Sequence, residues 1–289
     1  MDQRVIDLYN VYIHGSMPRR DFLQRLAGIA GSAAAASALL PLIECDYAAA
    51  AQVRPDDPAI ETGYAKYTGA KGDVRAYVAK PKGVARAPGV VVIHENRGLN
   101  AHIEDVARRA AVAGYLAVAP DGLSVAGGAP EDQEKARDLF GATDRAIIDA
   151  DVVSAVGYLA GRKDCSGKIG SVGFCYGGGM SLVCAAERPE IAAAVAFYGA
   201  ALPPDKVAKV KAPLMLHYAG KDERIDAGIN DFRAALDANA IAYSINMYPG
   251  TQHGFHNDSS AGRYDTAAAK LAWARTIAFF DQYLKTQAV

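Results

Sequence analysis

Cysteine is scarce in this chain, and positive charge is not in excess. Its 289 residues include only 4 cysteines, too few for a disulfide scaffold, and 28 glycines with 13 prolines, too few for a collagen-like repeat. With 31 basic and 32 acidic residues the formal net charge is −1, so no basic field is available for nucleic acid or for a membrane surface. The chain is 51% hydrophobic and 22% charged, which excludes intrinsic disorder and indicates an ordinary globular protein.

The first fifty residues differ from the rest of the chain. Arg19 and Arg20 precede a stretch rich in alanine and glycine, 26–43, which carries no charge before Glu44. Small residues of the kind that signal peptidases cleave follow at 48–51. The pattern resembles a twin-arginine export signal. The alternative is an amphipathic or membrane-anchoring helix, since the apolar run is nearly long enough to span a bilayer.

The export interpretation divides the chain into a leader, residues 1–51, and a mature domain, residues 52–289. Cleavage is expected near Ala50 or Ala51. Met17 is a possible true start, because the residues before it add nothing to such a signal. We expect the precursor to meet the twin-arginine export machinery and the mature protein to be periplasmic or secreted.

From residue 60 onward, predicted strands alternate with predicted helices. The continuous β-branched run at 89–94 is typical of a strand buried on both faces of a parallel sheet. Further strands are expected at 76–79, 115–119, 168–173, 193–198, 213–218 and 243–248, and helices at 103–113, 131–159 with a break near Gly141, 178–186 and 266–284. This alternation predicts a single α/β domain whose mostly parallel sheet is covered by helices on both faces. In such sheets ligands bind at the carboxyl ends of strands, so the site is expected there.

One cysteine lies at a predicted strand-to-helix turn. Gly173-Phe174-Cys175-Tyr176-Gly177 has the spacing of the nucleophile elbow, G-x-S-x-G, with cysteine in place of serine. The glycines allow neighbouring backbone to come close, and the N-terminus of the following helix stabilises a thiolate. Cys175 is therefore the candidate nucleophile. Cys165 and Cys184 are interpreted as buried thiols that act as small apolar side chains.

A thiol nucleophile needs a base, and the base needs a group that orients it. Asp222 follows the predicted strand 213–218, and His253 follows the predicted strand 243–248. Both are expected at the same edge of the sheet as Cys175. The chain order nucleophile, acid, histidine is the order found in α/β-hydrolases.

The other histidines and a second acid offer alternatives. His256, three residues after the predicted base, is the main competitor for that role, and Asp226 competes for the acid. His217 lies inside an apolar strand and is expected in the core. His14 and His102 have no motif around them that suggests a role.

Four motifs carry a resemblance to a known family: Val91-Val92-Ile93-His94-Glu95, Ala119-Pro120-Asp121, Gly173-Phe174-Cys175-Tyr176-Gly177-Gly178, and Tyr248-Pro249-Gly250 followed by His253-Gly254-Phe255. From about residue 60 to the C-terminus the sequence resembles the dienelactone hydrolase family, a cysteine-nucleophile branch of the α/β-hydrolases. The resemblance implies the α/β-hydrolase fold and a catalytic triad of Cys175, His253 and Asp222. No metal or organic cofactor is expected.

The same resemblance implies roles for three residues near the nucleophile. In the family a carboxylate at the position of Glu95 contacts the resting thiol and moves aside when substrate binds. The backbone N–H groups of Asn96 and Tyr176 would form the oxyanion hole, which stabilises the tetrahedral intermediate.

The sequence departs from the family pattern in the arginines that hold the carboxylate of dienelactone. The stretch 253–257 contains no arginine, and neither does 122–124. Arg97 and Arg263 lie near the motifs and are candidates to replace them, or they are ordinary surface charges. These departures bear on the substrate and leave the reaction type unchanged.

The sequence therefore predicts a carboxymethylenebutenolidase-like hydrolase of small carboxylic esters or lactones, with a small-molecule partner and no nucleic acid. One alternative is a broader thioesterase or xenobiotic esterase. Another, from a different class, is a thiol redox sensor in which Cys175 is oxidised and not acylated.

Overall fold

The computed structural model describes residues 1–15, 17–44 and 51–285, so of the expected cleavage positions Ala50 lies outside the described residues. Eight strands form one sheet in the order β1-β2-β4-β3-β5-β6-β7-β8. Their bounds are β1 Ile60–Thr68, β2 Asp73–Pro81, β3 Ala87–Ile93, β4 Leu116–Pro120, β5 Cys165–Phe174, β6 Ile191–Phe197, β7 Leu214–Lys221 and β8 Tyr243–Gln252. β2 pairs antiparallel with β1 and β4, and the other neighbours are parallel. The mostly parallel sheet predicted from the sequence is confirmed.

Helices cover both faces of the sheet. They are α1 Gln3–His14, α2 Arg19–Ala30, α3 Ala33–Ile43, α4 Ala101–Val112, α5 Gln133–Ala142, α6 Arg145–Ala160, α7 Tyr176–Glu187, α8 Pro204–Val207, α9 Glu223–Asp226, α10 Ile229–Ala238 and α11 Thr266–Leu284. Apolar residues of α6, α7 and α10 belong to the core on one face, and those of α4 and α11 to the core on the other. The break expected near Gly141 is the short connection between α5 and α6.

β3 illustrates why the continuous apolar run forms a central strand. Val91 and Ile93 contribute to the core on one face, whereas Val90 and Val92 contribute to the core on the other. All four side chains are fully buried. Because successive side chains of a strand point to opposite faces, only a strand with helices on both sides can bury such a run.

The edge strand β1, the short helices α8 and α9, and the helix α10 have no counterpart in the sequence prediction. β1 is an edge strand in which only Ile60 and Tyr67 are buried, so it lacks the apolar run that marks the central strands. α10 lies between β7 and β8 and buries Ile229, Phe232 and Leu236 against the sheet.

The N-terminal helices α1, α2 and α3 form a small core of their own, which includes Tyr9, Tyr12, Phe22 and Leu26. We call residues 1–44 the N-terminal helical segment. Among the described residues, no single helix combines the length and the apolar character needed to cross a membrane; α2 and α3 meet both criteria only as a pair, bent by 108°. The export signal stays a prediction.

Candidate active site

The strand-to-helix turn after β5 holds Cys175 in a backbone conformation that residues other than glycine rarely adopt. Its φ is 56° and its ψ is −114°, and its backbone N–H donates to the carbonyl of Phe197 at 3.0 Å. A Cβ at Gly177 would lie 2.3 Å from the carbonyl oxygen of Ile93, and one at Gly173 would lie 1.8 Å from the carbonyl oxygen of Gly177. Both positions therefore require glycine, and the turn stores backbone strain beneath the thiol.

Cys175, Asp222 and His253 come together at the carboxyl edge of the sheet. Asp222 directly follows β7 and His253 directly follows β8, and Nδ1 of His253 lies 2.5 Å from Oδ2 of Asp222. Sγ of Cys175 and a ring nitrogen of His253 lie within 4.8 Å of each other. Cys175 is 8% exposed, Asp222 6% and His253 1%, so the three groups interact with little screening by water.

The electrostatics of His253 favour its protonated form. Burial lowers its pKa, but the neighbouring Cys175 and the Asp222 carboxylate outweigh burial and raise the pKa to about 9. Nε2 of His253 has no hydrogen-bond partner within the described part of the chain. Because Asp222 holds Nδ1, the nitrogen left to exchange a proton with a reacting group is Nε2.

The competing residues occupy other environments. The His256 ring stacks on Phe174 with centroids 4.9 Å apart, and burial holds its pKa well below its ordinary value. Asp226 lies beside Asp222, where burial and the charge of Asp222 raise its pKa. His217 is fully buried, as predicted for a core residue.

The two other thiols in the described residues are buried, as the sequence predicted. Cys165 is 2% exposed and Cys184 is fully buried. Burial raises the pKa of Cys184 to about 12. The Cys184 thiol therefore remains protonated at neutral pH and does not act as a nucleophile.

Glu95 makes no hydrogen bond to the thiol of Cys175 in the described residues. Its Oε2 accepts from Nδ2 of Asn257 at 2.8 Å. Asn96 follows β3 and donates from its side chain to the carbonyl of Ile13 at 2.7 Å. Tyr176 is the first residue of α7, where a backbone N–H has no acceptor within the helix. The roles of Glu95, Asn96 and Tyr176 stay predictions.

His14 is a residue of this site that the sequence analysis missed. It ends α1, and its Nδ1 lies 3.9 Å from Sγ of Cys175. Its ring meets that of His253 edge to face, with centroids 4.6 Å apart. Nothing in the sequence around His14 signals this contact, because the contact depends on how α1 packs on the domain. His14, Cys175 and His253 form a group whose chemistry suits a metal ion.

A cavity of about 950 Å³ adjoins Cys175. Its lining includes the carboxylates of Asp138 and Asp149 and a larger number of cationic side chains, which are Arg19, Arg137, Arg145, Lys206 and Arg224. Arg97 and Arg263, the candidates from the sequence, are buried instead at Tyr9 of α1. Nη2 of Arg97 lies 3.4 Å from the Tyr9 hydroxyl, and the guanidinium of Arg263 lies 5.2 Å from its ring centre.

Comparison with known proteins identifies the family of the chain. The model of the Dienelactone hydrolase family matches residues 74–284. The chain belongs to the dienelactone hydrolase family. A second model, described as YqhI-like, matches residues 1–32 of this family member.

Two relatives and one solved structure illustrate the similarity of this dienelactone hydrolase family member to known proteins. A Salmonella typhi protein named "Putative carboxymethylenebutenolidase" is 32% identical over 269 residues, which are 88% of this chain and 96% of that protein. An Escherichia coli protein named "Putative hydrolase fragment YghX" is 52% identical over 107 residues, 36% of this chain and 92% of its own. A crystal structure from Klebsiella pneumoniae, described as a "Putative Dienelactone Hydrolase", superposes with a TM-score of 0.70 at 30% identity and covers 78% of this chain and 100% of its own. The chain is therefore a hydrolase-family protein with the dienelactone hydrolase fold.

Proposed function

We propose that the protein hydrolyses small carboxylic esters or lactones through a triad of Cys175, His253 and Asp222. The observation that carries this proposal is the position of His253. It contacts Asp222 through Nδ1, and its Nε2, without a hydrogen-bond partner among the described residues, is available to the thiol of Cys175. Such a chain of nucleophile, base and orienting carboxylate is the arrangement that activates a thiol.

The reaction proceeds in two steps. The Cys175 thiolate attacks the carbonyl carbon, and the protonated His253 then gives its proton to the leaving alcohol oxygen as the carbon–oxygen bond breaks. Water next attacks the acyl thioester, His253 removes a proton from that water, and the carbon–sulfur bond breaks to release the acid. N–H donors from Asn96 and Tyr176 would stabilise the negative oxygen in both steps by a few kcal/mol.

The cations around the cavity favour a substrate that carries a negative charge. Arg19 and Arg137 have carboxylate partners within 3.5 Å, and Lys206 lies 2.7 Å from Glu187. The guanidinium of Arg145 packs on the rings of Phe140 and Tyr176. No ion pair holds either Arg145 or Arg224 among residues 1–15, 17–44 and 51–285. We therefore propose an anionic ester or lactone, recognised by arginines that differ in sequence position from those of the family.

The first experiment measures hydrolysis of cis-dienelactone and p-nitrophenyl acetate by absorbance, with the full-length chain. We expect turnover of at least one substrate and a loss of about 10³-fold or more in Cys175→Ala. Cys184→Ala is the matched thiol control, because that side chain is buried outside the triad. The proposal would be overturned if neither substrate is turned over, or if the Cys175→Ala variant is active.

Export is proposed separately, and Arg19 makes it testable. Its guanidinium lies 3.3 Å from Glu44 and 3.1 Å from Glu134, so this arginine also has a structural contact in the folded chain. Changing Arg19 and Arg20 to lysine preserves the charge while removing the paired arginines that the export receptor reads. Cell fractionation should then find the variant retained in the cytoplasm while its melting temperature stays close to that of the wild type. A variant exported as well as the wild type would contradict the signal.

A further inference from the structure

His14 brings a third metal-binding side chain to a thiol and an imidazole. The three residues come from the end of α1, the turn after β5 and the loop after β8. One ligand atom from each, among His14, Cys175 and His253, lies within 4.8 Å of the others. The contact between Asn96 and the carbonyl of Ile13, at 2.7 Å, fixes the end of α1 next to the site.

The donor set has the chemistry of a site for zinc. Thiolate sulfur and imidazole nitrogen are the ligands that bind Zn²⁺, whereas Mg²⁺ and Ca²⁺ require oxygen. Nε2 of His14 and Nε2 of His253 are both buried and have no hydrogen-bond partner among the described residues. His253 contacts Asp222 through Nδ1, which is the outer contact that orients most metal-binding histidines.

We propose that His14, Cys175 and His253 form a binding site for Zn²⁺, and that the bound ion blocks the Cys175 thiolate from substrate. Binding forms one sulfur–zinc bond and two nitrogen–zinc bonds, and the proton on Nε2 of protonated His253 leaves to solvent so that this nitrogen can bind the ion. The inhibitory part of this proposal rests on the proposed hydrolase function. The binding part does not, because it requires only the three side chains. It applies to the full-length chain, since the expected cleavage near Ala50 or Ala51 would remove His14.

The distances permit such a site after a small adjustment. Tetrahedral zinc with bonds of about 2.0–2.1 Å to nitrogen and about 2.3 Å to sulfur places its ligand atoms roughly 3.3–3.6 Å apart. The ligand atoms lie within 4.8 Å of one another, so the most distant pair has to close by at most about 1.5 Å, which side-chain rotation can supply. Cys175 and His14 also line the 950 Å³ cavity, which gives the ion a path of entry and leaves a fourth position for water or an anion.

The charged side chains around the site also affect how well it can bind a dication. Arg224, Arg263 and Arg97 lie close enough to His14 to contribute, after burial and His253, to lowering its pKa well below the ordinary value. The same arginines repel a cation. The thiolate and the Asp222 carboxylate supply two negative charges against the two charges of Zn²⁺.

Co²⁺ serves as a spectroscopic probe of this site. We expect Co²⁺ added to the full-length, reduced protein to give a thiolate-to-metal band in the near ultraviolet, and Zn²⁺ to displace it. Competition with a chromophoric chelator then measures the dissociation constant for Zn²⁺. Hydrolysis of p-nitrophenyl acetate should fall as the zinc site fills and recover when a chelator removes the ion.

Variants separate the three ligands from the rest of the chain. His14→Ala should weaken Zn²⁺ binding by about 100-fold or more, since loss of an outer contact alone costs 10–100-fold. His14→Cys, which restores a soft ligand, should bind far more tightly than His14→Ala. Cys184→Ala should bind like the wild type, and Cys175→Ser should lose the cobalt–thiolate band. Melting temperature and circular dichroism show whether each variant is folded.

Each outcome decides a different part of the proposal. Wild-type zinc affinity in folded His14→Ala, or no advantage of His14→Cys over it, would overturn the role of His14. Full hydrolysis at saturating zinc would overturn the inhibition. A cobalt–thiolate band in a protein that hydrolyses no ester would support the metal site while contradicting the proposed function.

Discussion

Nδ1 of His253 lies 2.5 Å from Oδ2 of Asp222, and this contact decides which ring nitrogen faces the thiol. Asp222 accepts a hydrogen bond only from a protonated Nδ1, so it fixes the tautomer in which Nε2 serves as the base. An amide at this position would donate to Nδ1 and favour the opposite tautomer.

Asp222→Asn should therefore lower kcat for p-nitrophenyl acetate by about 10³–10⁴-fold with little change in fold. Asp226→Asn is the matched control, because Asp226 lies near Asp222 without contacting His253 by a hydrogen bond. That control should stay within a few-fold of the wild type. Equal losses in the two variants would contradict the assignment of the acid.

Iodoacetamide should alkylate Cys175 faster than Cys165 or Cys184 by at least about 100-fold, as followed by mass spectrometry of peptides. Cys175 lies next to His253, the proposed base of the triad, whereas burial raises the pKa of Cys184 to about 12. Equal rates at all three thiols would count against both the catalytic and the sensing interpretations.

Arg145→Gln and Arg224→Gln should each lower kcat/KM for an anionic aryl ester by about 10-fold, which is about 1.4 kcal/mol. A neutral ester of the same length should change by less than about 2-fold, because it gains no charge interaction. Higher ionic strength should reduce the preference of the wild type for the anionic ester. Variants whose kcat/KM falls equally for both esters would show that the arginines do not select for a charged substrate.

Deletion of residues 1–51 should leave a folded domain with a more reactive Cys175. The N-terminal helical segment has its own core, apart from the cores on the two faces of the sheet. Its removal takes His14 and Ile13 from the wall of the cavity at Cys175. We expect the alkylation rate of Cys175 to rise by about 10-fold, and a rate equal to that of the full chain would show that the segment does not cover the thiol.

His217 should make the protein less stable in mild acid. Burial, aided by the charge of Arg275, lowers its pKa to about 3 in the folded chain, against about 6.5 when unfolded. Between those two values only the unfolded chain binds the proton, so the free energy of unfolding falls by about 1.4 kcal/mol for each unit that pH drops.

Urea unfolding of the wild type and His217→Gln at several pH values between 6.5 and 4 measures this contribution. In the variant, the free energy of unfolding should fall by about 1.4 kcal/mol less for each unit that pH drops, because one fewer proton binds on unfolding. The other buried histidines contribute equally to both proteins. Parallel slopes would show that His217 does not carry the effect. Loss of the contacts to Thr276 and Tyr248 should lower the stability of the variant at all pH values.

The amino-acid sequence was sufficient for the features that depend on local order along the chain. The continuous apolar runs predicted the parallel strands, because burial on both faces leaves no room for polar side chains. The order of Cys175, Asp222 and His253, each after a strand, predicted that they meet, because parallel strands end at one edge of the sheet. The edge strand β1 was missed because its mostly exposed residues carry no such pattern.

Only the tertiary structure decided what surrounds the thiol. His14 lies 161 residues before Cys175, and no motif links them, so their 3.9 Å contact follows from the packing of α1 on the domain. Arg145 and Arg224 likewise reach the cavity from helices remote in sequence, whereas Arg97 and Arg263, nearer to the motifs, are buried at Tyr9. Strand pattern and chain order follow from local chemistry, but the walls of a cavity follow from which side chains meet once helices pack against the sheet.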